Sequence, residues 1–405
     1  HVIGYEVQKI HAAVDQFELR GNGESNPLPI GVAGVSEGGL LALYSAALDT
    51  RIDVTLVSGY FDMRQRVWQE PIYRNVWRLL TEFGDAEIAG MVAPRQLWIE
   101  TSPAIVEVAG PPKERDGRRG AAPGAIQRPN RESVLREFDR ARVHWAELGV
   151  GDAVGTLGTE GDPPLKTAVV ASMLNRLVDR SVEPQTTKVG PDSRRQFSDE
   201  ARQQRQLGEL VDFTQRLLTL AHRKREELFA PADRSSVQAW TQSAQDLREH
   251  VYRELIGRLP NDTVAPHPRS RQILDEPEFV GYEVVLDVFP DVIAGGVLLL
   301  PKNLAPDERR PVVVCQHGLE GTPMDTILGP QSKGFRAYKS FSAELARRGF
   351  IVYAPQNPYR GRDAFRTLQR KSNPLGRSLF SYITPQHLVS LRWLATLPYV
   401  CLLYT

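Results

Sequence analysis

The stretch Gly34-Val35-Ser36-Glu37-Gly38 restricts the fold more than any other part of the chain. A short β-type run, residues 29–35, leads into it, and an Ala- and Leu-rich run, residues 40–48, follows as a buried helix. Ser36 therefore falls on a sharp strand-to-helix turn, with small residues where the chain must pass close to itself. Such a turn lifts Oγ clear of a sheet at the N-terminus of the following helix, whose free N–H groups can hold an oxyanion. The Glu37 N–H is the candidate donor. The plainer alternative is a chance Gly-Ser turn between a strand and a helix.

The rest of residues 1–180 continues in the same manner. Apolar residues Val7, Ile10, Ala13, Val14 and Phe17 repeat at helical spacing until Gly21-Asn22-Gly23 stops them. Strands are expected at 52–58, 96–100 and 154–157, with helices at 132–148 and 165–178. Residues 181–274 turn polar and helix-forming and read as a connector. Ser198 is its candidate N-cap, and Leu207, Leu210, Val211, Phe213, Leu217, Leu218 and Ala221 form a stripe expected to pack on a domain surface. Ser235-Ser236 opens a second helix, and the charges at 223–227 read as a solvated face. Residues 275–400 return to strands. An antiparallel hairpin is expected at 281–288 and 293–300, buried strands at 311–316 and 350–355, and helices at 341–348 and 383–397. Strands alternating with helices imply an α/β class with a mostly parallel sheet covered on both faces.

Composition excludes several classes of partner. With 405 residues the chain exceeds the ~250–300 at which single cores usually split. Lys+Arg number 50 against Asp+Glu 49, a formal charge of +1, so no excess field exists to hold nucleic acid. Apolar stretches such as 297–301 fall far short of the ~20 residues that span a bilayer, so no membrane is expected. The two cysteines, Cys315 and Cys401, lack CxxC spacing, and neither a metal nor an organic cofactor is called for. The chain opens on His1 directly in a helical pattern, as if cut, so localisation is not readable. Residues 401–405 fit poorly after Leu397-Pro398-Tyr399-Val400 and read as a non-native tail of the kind a sequencing adapter encodes.

In the later unit, Val312-Val313-Val314-Cys315-Gln316-His317-Gly318-Leu319 is a strand ending in a His-Gly turn, and Ala354-Pro355-Gln356-Asn357-Pro358-Tyr359-Arg360-Gly361 is a strand ending in a Pro/Arg/Gly turn. With the elbow, these residues resemble the α/β-hydrolases of the dienelactone hydrolase and acetyl xylan esterase-like group, over about residues 1–180 and 275–400. The resemblance implies that Leu319 N–H is the second oxyanion donor. It also implies that residues 1–180 are the second half of one hydrolase unit and 275–400 the first half of another, a tandem whose second unit continues beyond Val400. The halves are expected either to complement each other in one sheet, with the Cys315 strand beside the Val32 strand, or to pack as separate half-domains.

A serine hydrolase also needs an imidazole to take the Oγ proton and an acid to orient it. The resemblance implies an acid after the third strand of this half and a histidine after the fourth. Glu100 and Glu107 are the carboxylates nearest the first position, and Asp162 stands where the histidine is expected. His11, His144, His222 and His250 read as helix-face residues. His317 is the one that the topology would bring toward Ser36, although it precedes the oxyanion turn. Trp68, Tyr73, Trp77 and Phe83 either line an acyl pocket or pack their segment onto the sheet. Two functions follow as expectations. One is hydrolysis of a small-molecule carboxylic ester through an acyl-serine in the intact parent protein. The other is a catalytically degenerate hydrolase domain serving as scaffold or binding module.

Overall fold

The structure is a computed structural model and describes residues 2–21, 28–110, 114–115, 118–119, 124–178, 180–182, 190, 197–260, 263–361 and 364–401. Residues 1–182 and 256–405 make one compact unit, and 183–255 a second.

In the first unit, helix α1 (Val2–Gly21) precedes strand β1 (Ile30–Val35), helix α2 (Glu37–Leu48) and strand β2 (Ile52–Ser58). Helix α3 (Asp85–Gly90), strand β3 (Gln96–Glu100), helix α4 (Arg131–Ala141), strand β4 (Val154–Leu157) and helix α5 (Thr167–Val178) complete this half. The four strands form a wholly parallel sheet in the order β1-β2-β3-β4. β2 is buried along nearly its whole length because both faces are covered, with Ile52, Val54, Leu56 and Val57 shared between them. One face packs Leu40, Leu43, Ile52, Val57, Leu97 and Ile99 with Trp145, and the other packs Val54, Leu56 and Trp98 with Val169 and Met173 of α5.

The second unit holds helix α6 (Asp199–Phe229) and helix α7 (Val237–Ser243). Ser198 Oγ accepts from Ala201 N at 3.2 Å and Ser236 Oγ from Ala239 N at 3.0 Å, so both N-caps form as their sequences require. Leu207, Val211, Phe213, Leu217 and Leu218 are exposed, and α6 buries no residue.

The remainder of the first unit is a six-stranded sheet made of β5 (Arg269–Asp275), β6 (Phe279–Phe289), β7 (Val292–Pro301), β8 (Arg310–Val314), β9 (Ile351–Gln356) and β10 (Val400–Cys401), ordered β10-β8-β9-β7-β6-β5. β10, β8 and β9 run parallel, and the pairs from β9 to β5 are antiparallel. Helices α8 (Phe341–Arg347), α9 (Ala364–Ser372) and α10 (Phe380–Thr396) connect these strands. β5 lies in the stretch read as connector, and its exposed Arg-Ser-Arg-Gln sequence carries no apolar alternation to announce an edge strand.

The expectation that the halves share one sheet is corrected. Among the described residues β1 pairs with β2 alone, whereas β8 pairs with β9 and with β10, through Arg310 opposite Val400 and Pro311 opposite Cys401. The place beside β8 is filled by the chain's own next strand, so the Cys315 and Val32 strands do not meet. Cys401, the first residue read as non-native tail, is thus a strand residue, and 402–405 lie outside the described residues. The halves meet elsewhere. Arg370 donates from Nε to the Trp68 carbonyl at 2.8 Å and from Nη2 to the Glu70 carbonyl. Asn75 Nδ2 donates to the Arg370 carbonyl at 2.8 Å, and Arg78 N to the Asn373 carbonyl at 2.8 Å.

Candidate active site

Ser36 joins β1 to α2 with φ 52° and ψ −112°, a main-chain conformation that costs a non-glycine residue about 1–3 kcal/mol and is held by its surroundings. Ser36 N donates to the Ser58 carbonyl at 2.8 Å, and its own carbonyl accepts from Leu40 N at 3.1 Å. A Cβ on Gly34 would lie 2.0 Å from the Gly38 carbonyl oxygen, and one on Gly39 would lie 2.7 Å from the Ser58 carbonyl oxygen. A Cβ on Gly38 would meet nothing within 4 Å. The tight crossing therefore requires glycine at 34 and 39, while Gly38 contributes only its backbone. Ser36 is half-buried and its Oγ does not cap the helix, and the first N–H groups of α2, beginning with Glu37, have no partner within the helix.

The Glu37 side chain is turned into a chain of ion pairs. Tyr73 Oη donates to Glu37 Oε1 at 2.5 Å, and Arg74 donates from Nη2 to Oε1 at 2.7 Å and from Nε to Oε2 at 3.2 Å. Glu70 accepts from Arg74 Nη1 and from Arg64 Nη1, each at 3.0 Å, and Arg64 Nη2 pairs with Asp85 Oδ2 at 2.7 Å. Arg64, Arg74 and Asp85 are buried, and the Tyr60 ring lies 4.0 Å from the Arg64 guanidinium. Burial pushes Asp85 up to about 6 against the pull of Arg64. Burial, then the bond to Glu37, raises the Tyr73 hydroxyl well above its usual value. Among the four aromatics singled out from sequence, Tyr73 thus holds Glu37. Trp68 and Phe83 line a cleft, and Trp77 is 37% exposed.

Register brings the strand ends together. Val35 is opposite Ser58 and Ser58 opposite Glu100, so Val35 and Glu100 stand two strand spacings apart, roughly 10 Å. Glu100 is 2% exposed; its Oε2 accepts from Ser58 Oγ at 2.6 Å and from Leu165 N at 3.0 Å, and its Oε1 is buried without a hydrogen-bond partner. Glu107 instead accepts from Arg128 N at 2.9 Å in the loop beyond. Asp162 follows β4, and its Oδ2 accepts from Lys166 Nζ at 2.5 Å and Thr159 N at 3.0 Å. The hydrogen bond from Lys166 holds this carboxyl below the usual range. Where the sequence leads one to expect an imidazole, the chain has an ion pair.

His317 and Leu319 belong to the other sheet. His317 is buried, its Nδ1 lies 2.7 Å from the Gly318 carbonyl, and Asn357 N points at Nε2 from 3.4 Å. With Nε2 accepting and Nδ1 donating, both ring nitrogens are engaged by their own turn and by the end of β9. The Leu319 side chain is exposed at the end of the same turn, where Gly318 N donates to Tyr338 Oη at 2.8 Å. His11 bonds the Ser45 carbonyl, His144 packs on Gly90, and His222 and His267 face Glu226 and Asp287. His387 lies near His317, and His250 ends a connector helix. Among the described residues no cluster of His, Cys, Asp and Glu could hold a metal ion, and no helix is long and apolar enough to cross a membrane.

A parallel sheet flanked by helices, with a strained serine between strand and helix, defines an α/β-hydrolase type of fold. No protein-family model and no curated protein matches the chain. Among solved structures it is similar to a Bacteroides fragilis protein assigned as an acetyl xylan esterase, at 17% identity over 42% of this chain and 46% of that one, TM-score 0.35. It is also similar to acetyl xylan esterase 1 of Thermoanaerobacterium sp., at 14% identity over 38% and 47%, TM-score 0.27. A third is a carbohydrate esterase family 15 glucuronoyl esterase of Caldicellulosiruptor kristjansonii, at 18% identity over 40% and 48%, TM-score 0.24. The chain spans less than half the length of each of these structures.

Proposed function

We propose that Ser36 is the nucleophile of a serine hydrolase that cleaves small carboxylic esters, of the acetyl xylan esterase-like kind. The observation that carries this reading is the strained Ser36 main chain at the C-terminal end of a parallel strand, with Oγ free of the helix cap. Oγ attacks the ester carbonyl, the Glu37 N–H holds the resulting oxyanion, the alcohol departs, and water releases the acid from the acyl-serine. Glu100, two strands away and with one oxygen unpartnered, is the acid of this reading. The imidazole that takes the Oγ proton is assigned to the whole protein, outside the described residues. Leu319 N–H is assigned to the oxyanion site of a second unit. That unit's own elbow strand would begin at Val400, which pairs in parallel beside Arg310 and follows α10 as β1 follows α1.

A second reading, a degenerate hydrolase domain acting as a scaffold, is favoured by one observation. Asp162 sits in the histidine position and is held by Lys166. A fluorophosphonate probe separates the two. Labelling of the wild-type chain that disappears in Ser36→Ala supports the nucleophile, and an unlabelled, folded wild-type chain supports the scaffold.

A further inference from the structure

A cleft of about 810 Å³ opens between the segment after β2 and helix α9, within the volume range of small-molecule sites. Ser36 does not line it. Trp68, Leu80, Phe83 and Leu375 give it an apolar wall. Its charges can be accounted for one by one. Arg64 is neutralised by Asp85 and Glu70; Glu87 and Glu137 share Arg140; Glu82 pairs with Arg78. Two adjacent cations on α9 remain, Arg370 and Lys371, and no carboxylate among the described residues pairs with either.

Arg370 is the more telling of the two. It is only 6% exposed, and its Nε and Nη2 donate to main-chain carbonyls, which orient the guanidinium without cancelling its charge. Burial alone depresses its pKa, with no neighbouring charge opposing it. A buried cation without a counter-charge is costly, and an arriving anion relieves that cost. Lys371 Nζ stands 4.6 Å from the centre of the Trp68 ring, which places a second, exposed cation over an aromatic face at the same wall.

We propose that this cleft binds a small organic carboxylate with a ring-shaped body, the carboxylate held by Arg370 and Lys371 and the ring packed against Trp68, Phe83 and Leu375. The planar guanidinium suits a two-oxygen acceptor, and the apolar wall gives the body its share of the contact. The proposal does not depend on whether Ser36 is an active nucleophile.

Calorimetric titration of the full chain with benzoate tests it, with benzamide as the neutral isostere and inorganic phosphate as an anion without a body. Benzoate is expected to bind, with benzamide and phosphate each at least about tenfold weaker. The exposed Lys371→Ala is expected to weaken benzoate about tenfold while leaving the thermal unfolding midpoint unchanged, and Arg370→Gln, checked for folding by circular dichroism, at least as much. The proposal is overturned if benzoate shows no binding at about 10 mM, if benzamide or phosphate binds as well as benzoate, or if Lys371→Ala leaves the affinity unchanged.

Discussion

Ser58 Oγ donates to Glu100 Oε2 across two neighbouring strand ends, and the same oxygen accepts from Leu165 N, leaving Oε1 buried and unpartnered. Glu100 therefore ties β2, β3 and the start of the last segment of this half together at the rim where Ser36 stands. Glu100→Ala strands a buried hydroxyl and a half-buried N–H, and a loss of about 2–4 kcal/mol is expected in urea unfolding. Glu100→Gln, which keeps an acceptor for both donors, is expected to lose less than half as much.

The elbow makes a sharper test of which glycines matter. Gly34→Ala drives a methyl into the Gly38 carbonyl and is expected to cost more than about 3 kcal/mol or to prevent folding. Gly38→Ala meets open space at the start of a helix, where alanine is favoured, and should leave stability within about 1 kcal/mol or raise it. Thermal melts of the two variants side by side decide the matter, and equal destabilisation would contradict the geometry described.

Asp85 supplies a pH dependence with a definite sign. Its carboxyl titrates near 3.8 when free and is pushed up to about 6 in the fold by burial, so between these values the folded state binds more protons than the unfolded one. Stability from this group is fullest below pH 4 and falls as pH rises to about 6, by on the order of 3 kcal/mol. Urea midpoints at intervals across that window should decline, and Asp85→Asn should flatten the slope there whatever it does to absolute stability.

What could be read from residue order was what is local. The elbow, the buried strands 52–58 and 96–100 and the two serine N-caps each depend on a few consecutive side chains. The edge strand Arg269–Asp275 escaped because it is exposed and polar, with nothing for periodicity to register. The choice between one shared sheet and two separate ones stayed open because two residues, Val400 and Cys401, decide which strand lies beside Arg310–Val314. Arg64, Glu70, Arg74 and Asp85 look like ordinary surface charges in sequence and become a buried network only when the segment after β2 folds over Tyr60. The Asp162–Lys166 pair was within reach, since i,i+4 spacing of opposite charges is a local signal.

The bond from Asn75 to the Arg370 carbonyl joins residues 295 positions apart. During synthesis at ~5–20 residues per second, the surface bearing Trp68 and Asn75 waits on the order of 15–60 s for the segment that covers it. For that interval a nascent chain presents an indole and an unsatisfied amide to its surroundings or to a chaperone, so the early half must hold its shape alone while the ribosome finishes the rest.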